Sequence, residues 1–166
     1  MSDIHILTSD TVDTPLRWKV QDSEIAPEAF NRSRESMFDV IRSGQIAEYA
    51  ADMLKAMHNL DGIGLAANQL GINERIFVTD FMSAMNPTII QAQYYKDVNE
   101  GCLSLPGTTV KIGRARKIKV KYFDIDDWTE KSNVFVDEQA HVIQHEIDHL
   151  NGILCIDYGN VLTGRK

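Results

Sequence analysis

The sequence predicts an α+β fold, on three observations. A strictly alternating run from Lys117 to Tyr122 carries Ile118, Val120 and Tyr122 on one face and Lys117, Lys119 and Lys121 on the other, as a half-buried antiparallel strand does. Asp126 and Asp127 then supply a turn, and Val134, Phe135 and Val136 read as the returning strand. Behind them lies a segment apolar on one side through Ala140, Ile143, Ile147 and Leu150, with Val142, His145, Glu146 and His149 on another, so it reads as a helix buried on both sides.

The earlier elements follow from the same periodicities. The stretch Glu28 to Arg42, with Ala29, Phe30, Met37, Phe38 and Ile41, reads as a helix. Between Gly44 and Asp61 the residues Ile46, Tyr49, Ala50, Met53, Leu54 and Met57 recur at spacings of three and four, one face of a second helix that Gly62 should end. Arg75 to Phe81 is β-branched and aromatic, a short buried strand. Asp137 is the expected N-cap of the last helix, Glu138 sits in its first turn, and Gly152 is its natural stop.

Composition bounds the rest. At 166 residues, one domain spanning 1–166 is expected, because cores divide only beyond roughly 250–300 residues. A formal charge of −7 leaves no basic field for phosphates, so no nucleic-acid partner is expected. No apolar run approaches the ~18 residues of a membrane span, and the opening MSDIHILTSD lacks the basic and apolar regions of a signal peptide. No membrane association and a cytoplasmic location are expected. Two cysteines, Cys102 and Cys155, are too few for a disulfide framework and are free for metal or nucleophilic work.

Chemistry concentrates in His145-Glu146-Ile147-Asp148-His149, an HExxH motif on a helix. Residues at i and i+4 lie one turn apart, so two imidazoles can chelate one divalent metal while the intervening glutamate reaches a water beside it. A catalytic metal needs a third protein ligand and an open position. Two thiols compete for that role. Cys155 follows the motif at the distance where metzincin proteases carry a third histidine, and Cys102 lies in the turn-rich segment Glu100 to Pro106, whose Gly101 lets backbone approach a ligand closely. Spacing alone does not choose between them. A glutamate-ligated site is disfavoured, since Asp157 is the only carboxylate side chain after Asp148.

Three segments together carry a family resemblance. GIGLAANQ, EGCLSLP and QHEIDHLNG, in that order and at matching spacing, resemble the three signature motifs of peptide deformylases. The likeness covers roughly Leu54 to Tyr158 and is weaker around Asp13 to Val20. It implies antiparallel sheets surrounding a central helix that carries HExxH. It implies Cys102, His145 and His149 as metal ligands, Glu146 as general base, and Gln69 with the Leu103 N–H as oxyanion donors. The implied reaction removes the formyl group from the N-terminal formylmethionine of a nascent peptide and releases formate. Residues matching Ile63, Gly64, Glu100, Gly101, Val142 and His145 would form the methionine pocket; Glu138 and His141 lie where they could make its rim more polar, although His141 reads first as a supporting or surface histidine rather than one with a direct role.

The resemblance further implies one divalent ion, Fe(II) natively, with Zn, Ni or Co able to occupy the same ligands. Extra sequence precedes about residue 45, the connection between Asp80 and Asn86 is shortened, and only a short tail, 160–166, stands where many members carry a long C-terminal helix. Such tails resemble virus-encoded members, which would act in host cytoplasm, and ribosome tethering through that helix is not expected. A monomer is expected. Arg114 reads either as a partner of Asp148 that anchors helix to strand or, equally, as a solvated side chain. Two other readings make different predictions. An HExxH zinc endopeptidase using Cys155 or another third ligand would cleave internal peptide bonds, and a structural or regulatory metal protein would need a closed four-ligand shell.

Overall fold

The computed structural model describes residues 6–7, 19–21, 37–158 and 161–163. Within them, helix α1 (Met37–Asn59) leads into strand β1 (Gly64–Ala66), a 3₁₀ turn (Ala67–Leu70), β2 (Ile76–Thr79), β3 (Met82–Glu100), β4 (Thr109–Asp124) and β5 (Thr129–Val136). Helix α2 (Asp137–Leu150), a second 3₁₀ turn (Cys155–Tyr158) and β6 (Val161–Thr163) complete the order. All pairings are antiparallel, giving one sheet in the order β1-β2-β3-β4-β5, with β6 against the start of β4. No helix among the described residues is long and apolar enough to cross a membrane.

Three layers result, because β2 is buried on both faces. Phe77 joins Ala84, Ile118, Val120 and Tyr122 under Ala140, Ile143, Ile147 and Leu150 of α2. Ile76 and Val78 point the opposite way, with Leu65 and Met85, into a second core under Ile46, Met53 and Met57 of α1. The central helix is thus enclosed as expected: Ala140, Val142, Ile143, Gln144, Glu146, Ile147, His149 and Leu150 are all buried. Register shifts between Met85 and Thr88 and between Ile89 and Gln91 interrupt the β3–β4 ladder, the kind of irregularity that bends and twists a sheet.

Several boundaries differ from the sequence expectation. The residues 37–42 of the first expected helix continue into the second, and one helix passes through Gly44; residues 28–36 lie outside the described ones. Gly62 is not its left-handed stop. Asp61 takes that conformation (φ 53°), its N–H bonding His58 O and that of Gly62 bonding Met57 O at 3.0 Å, a Schellman closure. Gly62 is needed for space, since a Cβ there would lie 2.8 Å from Leu103 Cδ1. At α2 the cap position is Val136, without a side-chain cap, and Asp137 is the first helical residue, its carboxylate taken by Arg116 Nε at 2.8 Å. Gly152 does end α2: at φ 73° it donates to His149 O while Ile153 donates to Asp148 O.

The strand read at Lys117 to Tyr122 runs the whole of β4, and the turn after it is tied by Asp124, whose carboxylate accepts from the N–H groups of Asp126 and Asp127. The connection after β2 is a two-residue turn, Asp80-Phe81, between paired Thr79 and Met82.

Candidate metal centre and active site

Three elements deliver the polar residues to one place. α2 carries His145 and His149 one turn apart, with their Nε2 atoms 3.2 Å from each other. The turn after β3 brings Cys102, whose Sγ lies 3.2 Å from His149 Nε2. Among the described residues this is the one group of three or more His, Cys, Asp or Glu side chains that could hold a metal ion, with all ligand atoms within 4.8 Å of one another. A soft thiolate and two imidazoles suit a divalent transition metal. Cys155 is not in the cluster; it is buried in its own 3₁₀ turn, where loss of solvent pushes its thiol up.

The surroundings hold the donors in place. His145 Nδ1 meets Glu100 Oε2 at 3.0 Å, so its other nitrogen faces the cluster. Arg114, 4% exposed, grips Glu100 with two hydrogen bonds and reaches Asp148 with a third, joining β3, β4 and α2. Tyr158 covers this network, its hydroxyl donating to Asp148 and its ring 5.4 Å from the Arg114 guanidinium carbon. Burial works to raise the Glu100 carboxyl, but hydrogen bonds from His145 and Arg114 outweigh it and bring it down to about 2. The Arg114–Asp148 pair matches one of the two readings of Arg114; the Arg114–Glu100–His145 chain was not foreseen.

Glu146 has the opposite environment. It is 3% exposed, and burial pushes its carboxyl up to about 7. Its Oε2 is buried without a hydrogen-bond partner, while its Oε1 lies so close to Gly64 that a Cβ there would collide with it and come within 2.9 Å of Val142 Cγ1. A buried carboxylate oxygen with no partner costs free energy unless something polar completes it. A water on an ion held by the adjacent cluster would do so, and the donor set therefore fits a metal of hydrolytic type.

These groups sit at one side of a cleft of about 620 Å³. Ile63, Gly64, Glu100, Gly101 and Val142, the expected substrate-binding residues, all line it, as do Gln69, Cys102, Leu103, His145 and Glu146. Glu138 and His141 line it too, and His141 Nε2 is buried without a hydrogen-bond partner. The 3₁₀ turn after β1 places Gln69, 2% exposed, with its Nε2 4.0 Å from Cys102 Sγ. Sequence reasoning missed two supporting residues. Ser104 holds Gln69, and Gln144 takes Ala115 N–H and C=O from the side of β4 that β5 does not reach.

Comparisons with known proteins agree with this geometry. The family model described as polypeptide deformylase matches residues 13–163. The peptide deformylase of Thermotoga neapolitana is 41% identical over 115 residues, which cover 63% of this chain and 66% of that protein, so the aligned part spans about two thirds of the curated relative. Among solved structures, the peptide deformylase of Thermotoga maritima aligns with TM-score 0.77 at 32% identity, covering 93% of this chain and 96% of that one. A probable peptide deformylase from Synechococcus phage S-SSM7 aligns with TM-score 0.75 at 31% identity, covering 94% and 99%. Motif order, fold and cluster all point the same way, and the chain belongs to the polypeptide deformylase family, a family of metallohydrolases.

Proposed function

We propose that the chain hydrolyses the formamide of an N-terminal formylmethionine, releasing formate and a peptide with a free amine. The observation that carries the reading is the Cys102-His145-His149 cluster beside Glu146, whose uncommitted Oε2 faces no protein partner at the side of an open cleft. Cys102, His145 and His149 would hold one divalent ion, Fe(II) in the cell, with Zn, Ni or Co able to replace it. When bound, the ion supplies Lewis acidity, lowering the pKa of water and polarising a carbonyl.

The chain's own residues do the remainder. Glu146 takes a proton from the attacking water, a role to which a carboxyl raised to about 7 is matched near neutral pH. The Gln69 amide N–H and the Leu103 backbone N–H meet the negative charge that grows on the formyl oxygen in the transition state. Glu146 then returns the proton to the leaving amine. Ile63, Gly64, Glu100, Gly101 and Val142 would form the walls against which the methionyl residue rests, and the exposed Ile63 offers apolar area at the cleft.

The endopeptidase reading with Cys155 loses its third ligand, since Cys155 lies outside the cluster, and a closed structural site lacks a fourth among the described residues, since the cluster holds three donors. The products separate all three. Metal-loaded protein is expected to release formate from formyl-Met-Ala-Ser and to leave casein uncut; internal cleavage without formate would overturn the proposal.

A further inference from the structure

The proposed mechanism leaves Ser104 unused, although it is 0% exposed and lies two residues after Cys102. Its Oγ accepts a hydrogen bond from Gln69 Nε2 at 3.1 Å. The other end of the same amide is also held, for the Ala66 N–H donates to Gln69 Oε1 at 2.8 Å. A carboxamide has two N–H bonds fixed in its plane. With its oxygen committed to Ala66 and one hydrogen to Ser104, the second is left on the side of Cys102 Sγ, 4.0 Å from Nε2.

The terminal torsion of glutamine is broad and roughly two-fold, so an unrestrained amide can present either its NH₂ or its oxygen to the cleft. The second presentation would set an acceptor against developing negative charge. We propose that Ser104 is a positioning residue: the donor-only Ala66 N–H fixes which end of the Gln69 amide is the oxygen, and the Ser104 hydroxyl, by accepting one amide hydrogen, holds the other aimed at the reacting carbonyl, so that donation in the transition state needs no reorientation. The inference rests on the reading of Gln69 as an oxyanion donor. It makes three consecutive residues of one turn serve one reaction: the Cys102 thiolate, the Leu103 N–H and the Ser104 hydroxyl.

A buried serine that only fills space would change stability and nothing else, so the test is a double-mutant cycle on metal-loaded enzyme with formyl-Met-Ala-Ser, reading kcat, KM and metal content. Ser104→Ala is expected to lower kcat roughly tenfold, with KM within about twofold and metal fully retained. On a Gln69→Ala background, itself reduced roughly 10²–10³-fold in kcat, Ser104→Ala should have no further effect. Unchanged kcat, the same fractional loss on both backgrounds, or loss of metal would overturn the positioning role while leaving Gln69 as donor. A Gln69→Ala enzyme with full kcat would instead remove the reading beneath it. Should Ser104→Ala fail to fold, Ser104→Cys, close in shape but a weak acceptor, carries the same cycle.

Discussion

Two carboxylates that line the same cleft are driven in opposite directions. Glu100 is paired by Arg114 and His145 and held at about 2, while Glu146 has no such partner and burial raises it to about 7. The first is a permanent anion that orients a ligand; the second can exchange a proton near neutrality. Glu146→Gln should therefore keep its metal and lose several orders of magnitude in kcat, read by metal analysis beside formate release. A nearly active, metal-loaded variant would sink the general-base role. Glu146 also costs stability. Because its folded value lies above the unfolded 4.5, the protonated form is favoured in the native state, and stability falls as pH rises from 4.5 to about 7. In the metal-free chain the loss is about 3 kcal/mol, and denaturant melts of Glu146→Gln should lack that slope.

At the scale of elements, α2 is tied to β4 by a side-chain amide as well as by the Arg114–Asp148 and Arg116–Asp137 pairs. β5 ends at Val136, opposite Lys117, so the outward N–H and C=O of Ala115 have no strand partner on that side, and the Gln144 side chain takes both. Gln144→Leu should cost roughly 1–3 kcal/mol in chemical denaturation, the penalty for leaving such buried groups unpaired; an unchanged midpoint would show that water or a shifted strand replaces the clamp. The helix itself was legible because Ala140, Ile143, Ile147 and Leu150 repeat at helical spacing and HExxH has meaning only on a helix. β3 was not legible: its two register shifts and the left-handed φ at Asn86 and Tyr94 destroy the two-residue alternation by which a strand is recognised. The first half of β4 escaped for a related reason, since Arg114 is buried on a strand where a charge usually marks the solvent face. Gly62 reads from sequence as the stop of α1, but its smallness serves the close approach of Leu103, a residue remote in sequence, and Asp61 takes the left-handed turn.

The whole molecule is an arrangement for making three distant segments meet. α1 and α2 clamp the sheet from both sides, β1 and its 3₁₀ turn carry Gly64 and Gln69, the turn after β3 carries Cys102 to Ser104, and α2 carries His145, Glu146 and His149. The site residues named from the three motifs all reach this place, because short motifs keep their local geometry wherever the chain delivers them. What held them there was not readable, since the Gln69–Ser104 and Arg114–Glu100 contacts join residues 35 and 14 positions apart through the fold alone. The central claim is that Cys102, and not Cys155, completes the metal centre. Metal content and formate release measured side by side on Cys102→Ser and Cys155→Ala test it directly. Cys102→Ser should lose both, an unactivated hydroxyl being a poor substitute for a soft thiolate, while Cys155→Ala should keep both at a modest cost in stability; the reverse pattern would contradict the account.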